Sequence, residues 1–447
     1  MKLPTRSHLI SLFALLLASF LCPLRAFSHA PGDSESARTI PNPHIRFSST
    51  LLSEDGKPLA GFHLVTFYIY GSDDRIGEDR SGDPLWAETL PVETNANGEY
   101  TVDLMTATSA SVVEVFTAHP LLYVSTSIPA SSSFSSPQII TTTPQAIYQD
   151  CNLDGQGCSG PAGDTATSQL DKIAAANFYV VLNYSVFWGT EAELLAYAAR
   201  ANSDHVKIMW AFNDPAFAKY SSKPGKYLIN DYAEISATCA CSTNLGFLQY
   251  LVHLVKDLPA TYGYSIGDEP TPNTAADVQN LYNIIRAADP NHPQMVNATW
   301  DNANNPSLSN LQKYLDPFSF ADILGGDYYP IGTGAPASDV AKAASDVHSI
   351  ATTYGKSAEM ALQAFNWNQY PGSGVCTGSE CTYPNPQQLQ TMLRDAATNA
   401  NPKIIFWYDY WDTVDAGEWT NFVRAVNPQH PCKREWQSTT DSSADSQ

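Results

Sequence analysis

The segment YGYSIGDEPTP, residues 262–272, ends an apolar run on two adjacent carboxylates, Asp268 and Glu269, with Pro270 directly behind them. Paired carboxyl groups are the side chains that general acid–base chemistry uses. Proline cannot donate a ladder hydrogen bond, so a strand over 262–268 ends there and leaves both acids at its mouth. Neighbours on a strand point to opposite sides, so the two need not share a proton.

Other apolar runs end in the same kind of residue. Their ends carry Asn183 and Tyr184, Trp210 with Asn213, Asn297 with Trp300, Asp327 to Tyr329, Gln363 with Trp367, and Asp409 with Trp411. Loops are polar wherever they lie, but that does not account for tryptophan: six of the nine, Trp188, Trp210, Trp300, Trp367, Trp407 and Trp411, fall near or just beyond strand ends. Flat aromatic faces beside carboxylates and amides suit a sugar, whose C–H face stacks while its hydroxyls take directional hydrogen bonds.

The elements that must position these residues alternate. Apolar strands are expected at 146–149, 178–184, 206–212, 262–268, 294–300, 321–329, 358–365 and 403–410. Helical periods intervene at 190–201, 244–258, 275–289, 338–355 and 386–400. Eight near-continuous apolar strands of parallel-sheet type in this span predict an α/β (β/α)8 TIM barrel, with its chemistry at the C-terminal strand ends. An open doubly wound sheet is the rival, but no GxGxxG loop follows the first strand. The barrel is expected to occupy 146–432.

Upstream, residues 41–129 show period-2 alternation broken by Asp-Gly and Asn-Gly turns, which predicts a small all-β sandwich. Residues 130–145, rich in Ser, Thr and Pro, predict a linker. Residues 433–447 form a polar tail. At the other end, Lys2 and Arg6 precede an apolar run of 14 residues (9–22), too short to span a bilayer comfortably, and Ser28-His29-Ala30 suits a cleavage site. Residues 1–30 therefore predict a signal peptide; an uncleaved anchor is the alternative. The expected location is secreted, periplasmic or cell-surface, with no membrane span after cleavage.

Export agrees with the cysteines: Cys151–Cys158 and Cys376–Cys381 are spaced as small loop staples, while one of Cys239 and Cys241 is expected to reach Cys432. A formal net charge of −21 argues against nucleic acid as a partner. No metal site is expected, because the cysteines lack CxxC spacing and His205, His253, His292 and His348 fall in helices or in loops before strands. There is no GxSxG elbow or phosphate-cradling loop, and no cofactor is expected. The sequence leaves the sugar, the linkage and the oligomeric state open.

The order GDEP on the fourth strand, GGDYYP on the sixth, LQAFNW on the seventh and FWYDYWD on the eighth resembles glycoside-hydrolase-like (β/α)8 barrels of the superfamily that carries Asn-Glu-Pro on strand four. The resemblance implies that Glu269 is the general acid protonating the departing glycosidic oxygen, and that Asp268 replaces the asparagine that holds a sugar hydroxyl. Retaining members carry a nucleophilic glutamate on strand seven; the aligned residue here is Gln363. Three possibilities follow. Asp327 or Asp409 serves as base to a water in an inverting hydrolase, with carboxyl groups about 6.5–9.5 Å apart. Gln363 holds a substrate group that itself attacks. Or the barrel binds glycan without cleaving it. Asn183, Tyr184, Trp210, Asn213, Asn297, Trp300, Tyr328, Tyr329, Gln363, Trp367 and Trp411 are the expected sugar contacts, and Glu359 a buried structural partner. GKPLAG followed by NANGEYTVDL resembles carboxypeptidase-regulatory or transthyretin-like modules, which implies a spacer or contact role for 41–129.

Overall fold

The computed structural model describes the chain apart from residues 1–45, 54, 56, 72–83, 105–114, 116–118, 120, 129–137, 300–307, 377–380 and 427–447. The leader, the C-terminal tail, Cys432 and Trp300 lie outside the described residues.

Eight parallel strands close into a barrel in chain order: β7 (Gln145–Gln149), β8 (Val180–Asn183), β9 (Lys207–Ala211), β10 (Thr261–Asp268), β11 (Gln294–Thr299), β12 (Ile323–Tyr328), β13 (Ser357–Gln363) and β14 (Ile404–Tyr408), with β14 pairing back onto β7. Both faces of these strands are covered, so almost every residue in them is buried and the sequence runs apolar without alternation. A helix follows each strand: α1 (Ala166–Ala175), α2 (Glu191–Ser203), α3 (Asn244–Val255), α4 (Ala275–Ala288), α5 (Leu308–Leu315), α6 (Val340–Thr353), α7 (Pro386–Ala400) and α8 (Trp419–Val426). Capping boxes start three of them: Thr165 with Ser168, Thr190 with Glu193, and Asn385 with Gln388. Each side chain covers an amide that the first turn leaves unpaired.

Buried amides tie the layers together. Gln145 accepts from Trp407 Nε1 at 2.7 Å and donates to the Val426 carbonyl at 2.9 Å, which joins the first strand, the last strand and the last helix. Gln149 accepts from Tyr197 at 2.6 Å and donates to the Ala166 carbonyl at 2.8 Å.

The N-terminal strands are antiparallel. β1 (Arg46–Thr50) pairs with β4 (Glu99–Asp103), and β2 (Gly61–Tyr70), β3 (Trp86–Thr94), β5 (Leu121–Ser127) and β6 (Gln138–Thr141) form a sheet of order β3-β2-β5-β6. Phe47 of β1 meets Phe67 of β2 ring-to-ring at 5.4 Å, and Tyr100 of β4 lies 6.3 Å from both. Gly98, at φ 74, turns β3 into β4, and a Cβ there would lie 2.5 Å from the Leu51 carbonyl oxygen, so only glycine fits. Tyr70, Leu121 and Tyr123 pack into the same apolar core as the barrel.

Two expectations are corrected. Residues 138–141 of the segment expected to be linker form β6, because the Ile139-Ile140-Thr141 run pairs with β5 as β-branched residues favour. Only 142–144 separate that sheet from the barrel. Cys239 and Cys241 bond to each other; Cys151–Cys158 and Cys376–Cys381 pair as expected. Among the described residues, no helix is long and apolar enough to cross a membrane. The disulfides suit an oxidising compartment.

Candidate active site

Strand register aligns one row of side chains around the barrel: Asp268 pairs with Asn297, Asn297 with Gly325, and Gly325 with Glu359. A Cβ on the next residue, Gly326, would touch Val347 and Leu311 on the helix side, so Gly325 and its row face the interior. A Cβ on Gly325 would collide with Glu359 Oε2. The missing side chain is the space into which the Glu359 carboxyl turns. Glu359 is fully buried, and among the described residues neither of its oxygens meets a hydrogen-bond partner. Burial, and then the charge of Asp268, pushes its pKa well up.

Asp268 of that row, with Glu269 and Asp327, adds three more carboxyl groups. Asp268 accepts a hydrogen bond from the Tyr184 hydroxyl at 2.8 Å; burial, opposed by that bond and aided by Glu269, pushes its pKa up to about 6. Glu269 follows the end of β10 with a left-handed φ of 47, its amide donating to the Asn297 carbonyl at 2.8 Å, and its side chain exposed. Non-glycine residues at positive φ are uncommon and cost free energy that the surrounding structure must offset. Asp327, two residues beyond Gly325 on the same face, is buried near Glu269. Burial, then the Glu269 charge, pushes its pKa well up. Among the described residues no ion pair reaches any of these four acids.

Aromatic rings surround them. Tyr148 stacks on Tyr184 at 5.2 Å; Tyr408 meets Tyr148 at 5.4 Å, Tyr329 at 6.0 Å and Trp411 at 5.6 Å; Trp367 meets Tyr329 at 6.5 Å. Burial, then the nearby Asp268, Glu359 and Asp327, raises the Tyr148 hydroxyl pKa well above its ordinary value. Among the described residues, the Asn297 Oδ1 and the Asp327 Oδ1 have no hydrogen-bond partner, although both residues are buried. Such orphaned acceptors imply a ligand or water in the cleft.

Of the expected contacts, Tyr184, Asp268, Glu269, Asn297, Asp327, Tyr329, Trp367 and Trp411 come together here. Others do not. Trp210 is fully buried, stacked on Phe187 at 6.3 Å and donating to Thr261 at 3.0 Å. Asn183 pins a loop: its Oδ1 accepts from the Cys151 and Ser185 amides at 3.1 and 3.0 Å, and its Nδ2 donates to the Cys151 carbonyl at 2.8 Å. Tyr328 follows Gly326 in facing the helices, with its hydroxyl pKa pushed up to about 12 by burial and by Asp339. Gln363 is fully buried, and its amide accepts from the Ile331 amide at 2.8 Å and donates to the Ile331 and Phe365 carbonyls at 3.0 and 3.2 Å. That leaves no group for a substrate. Asp409 is buried as the cap of the short helix Tyr410–Asp415, its Oδ1 accepting from the Asp412 amide at 2.8 Å. Its charge neighbours are Asp412 and Asp150, not the cleft acids. Asn213 is nearly buried after β9, and among the described residues no hydrogen bond joins it to the cleft acids.

The sequence did not single out Tyr148 or Tyr408. Period-2 alternation was their signal, since Phe406 and Tyr408 share the face that meets Tyr148 while Trp407 turns toward Gln145.

No protein-family model matches the chain, and no curated protein matches it. Solved structures share its general path. The cellulose synthase subunit Z of Clostridioides difficile aligns at 10% identity over 64% of this chain and 99% of its own, with a TM-score of 0.42. An endo-β-1,4-mannanase from Thermotoga petrophila aligns at 11% over 64% and 77%, with a TM-score of 0.40. A β-galacturonidase from Eisenbergiella tayi aligns at 10% over 82% and 64%, also at 0.40. Likeness at this level bears on neither substrate nor mechanism.

Proposed function

We propose that the protein hydrolyses a glycosidic bond of an oligo- or polysaccharide in the aromatic-ringed cleft, with Glu269 as the general acid. The observation that carries this reading is the placement of Glu269: it stands exposed at the end of β10, in a left-handed conformation, against the buried acid Asp327 and inside a ring of tyrosine and tryptophan. Tyr329, Tyr408, Trp367 and Trp411 offer flat faces for sugar rings, and Asp268 and Asn297 offer acceptors for hydroxyl or amide donors. Residues 1–30 serve as an export signal in this reading, and β1–β6 as a transthyretin-like spacer module.

Glu269→Gln tests the assignment, since it keeps the shape and removes the transferable proton. The rate on a hydrolysed glycan should fall about 100- to 10,000-fold while binding is retained. An unchanged rate per folded molecule would refute it. A glycan-binding barrel without catalysis is the second reading, favoured by Gln363, which replaces the strand-seven acid and is fully engaged by Ile331 and Phe365. Binding without turnover across a broad glycan panel would establish it.

A further inference from the structure

We propose that the segment between β9 and α3 carries a second glycan-binding surface. There Tyr227 stacks on a sugar ring, and Lys219, Lys223 and Lys226 hold the carboxylates of a uronate-bearing polysaccharide. The surface uses none of the cleft residues, and it stands whether or not the cleft cleaves its glycan.

Residues 215–230 hold three lysines and no acid, in a chain where 45 Asp and Glu outnumber 24 Lys and Arg. All three lysines are exposed, and among the described residues none of their ammonium groups pairs with a carboxylate. Their charge is therefore not neutralised within the protein. Tyr220 and Tyr227 stack with ring centroids 3.8 Å apart and planes at 17°. Lys219 Nζ lies 5.2 Å and Lys223 Nζ 5.9 Å from the centre of the Tyr220 ring. Tyr227 is 46% exposed. One tyrosine is thus the support, and the other offers a ring to solvent beside the ammonium groups.

The segment is tied down on both sides. Buried Asn244, at the start of α3, accepts from the Leu228 amide at 3.0 Å and donates to the Lys223 carbonyl at 3.1 Å, while its own amide donates to the Gly225 carbonyl at 3.0 Å. Asn280 of α4 donates to the Ser221 hydroxyl at 2.8 Å. Tyr227 is positioned before any ligand arrives, which lowers the ordering cost of binding. The chemistry of the surface then selects its partner. A tyrosine ring suits the C–H face of a sugar, and an ammonium group, a compact charge with three donors, suits a carboxylate. At a net charge of −21 the chain as a whole repels dense polyanions such as nucleic acid, and anionic membranes as well. A polysaccharide with no more than one carboxylate per ring carries its charge sparsely enough to meet the lysines without that penalty.

The test measures binding of the full chain to polygalacturonate by titration calorimetry, beside the same polymer with its carboxylates methyl-esterified. The acid form should bind at least about tenfold more tightly than the ester, and raising NaCl from about 20 to about 300 mM should remove most of that advantage by screening. Lys223→Gln with Lys226→Gln should weaken binding of the acid form at least about tenfold and flatten its salt dependence. Tyr227→Ala should weaken it about tenfold at either salt concentration, while Tyr227→Phe keeps the ring and the affinity. Melting curves of all three variants should match the wild type, because the altered side chains are exposed. Equal affinity for acid and ester, no response to the lysine or Tyr227→Ala changes, or tighter binding to phosphatidylglycerol vesicles than to polygalacturonate would overturn the inference. So would self-association that the lysine variant abolishes, found in place of polyuronate binding. Turnover at Glu269 is measured on neutral glycosides, so neither result decides the other.

Discussion

Replacing Asp268 with Asn should stabilise the fold at neutral pH, by an amount that depends on pH in a defined direction. The carboxyl has a pKa of about 6 in the folded protein against an ordinary 3.8, with burial the largest cause. Between those values the folded state binds more protons than the unfolded chain. Stability therefore falls as pH rises from about 4 to about 6 and stays lower above that. The shift corresponds to about 3 kcal/mol at pH 7. Solvent reaches part of the carboxyl, which reduces the expected gain to about 2 kcal/mol. Asn keeps an oxygen for the Tyr184 hydroxyl, so that bond survives the exchange. Urea unfolding of wild type and variant at pH 4, 5.5 and 7.5, followed by tryptophan fluorescence, reads the effect, since the other raised acids, Asp327, Glu359, Asp409 and Asp412, are common to both proteins. The two should be nearly equal at pH 4, with the variant ahead by about 2 kcal/mol at pH 7.5. A variant less stable at pH 7.5, or a difference independent of pH, would refute the account of Asp268 as a carboxylate held at a cost to stability. A rise in stability joined to a loss of activity would mark the cost as one the function requires.

Gly325→Ala should destabilise by about 1–3 kcal/mol through collision with the Glu359 carboxyl, and the double variant with Glu359→Ala should melt higher than the single. Trp411→Ala should weaken glycan binding about tenfold, as expected for loss of one stacking face. Trp210→Ala, by contrast, should cost about 3–5 kcal/mol of stability and leave affinity per folded molecule unchanged, because that ring is in the core. Gln363→Glu should not supply a nucleophile. It removes the donor to two carbonyls and buries a carboxyl, so lower stability by about 2–4 kcal/mol is the expected reading of a melting curve.

The barrel was legible because a parallel strand buried on both faces must be apolar throughout, and eight such runs separated by helical periods have few other ways to close. Boundaries moved by only a few residues: 262–268 became Thr261–Asp268, and 358–365 became Ser357–Gln363. The 130–145 segment misled because its Ser and Pro content masks the Gln138–Thr141 strand. Site residues were less legible, since residue type at a strand end does not say which way the side chain turns. Trp210, Asn183 and Gln363 have the chemistry of sugar contacts, yet each is consumed by the protein's own packing or hydrogen bonding.

Register is what separates the two kinds. A side chain's face depends on an odd or even offset from its neighbours, and a one-residue error reverses it. Tyr328 and Tyr329 illustrate the point: adjacent and chemically identical, one faces the helices near Asp339 and the other meets Tyr408 and Trp367. The same logic explains the two acids that stop β10. Asp268 lies in the interior row and takes Tyr184, while Glu269, turned by its left-handed φ, lies near Asp327 across the mouth. Adjacent in sequence, they reach different partners, because the left-handed turn at Glu269 breaks the strand alternation that would otherwise set the direction of its side chain.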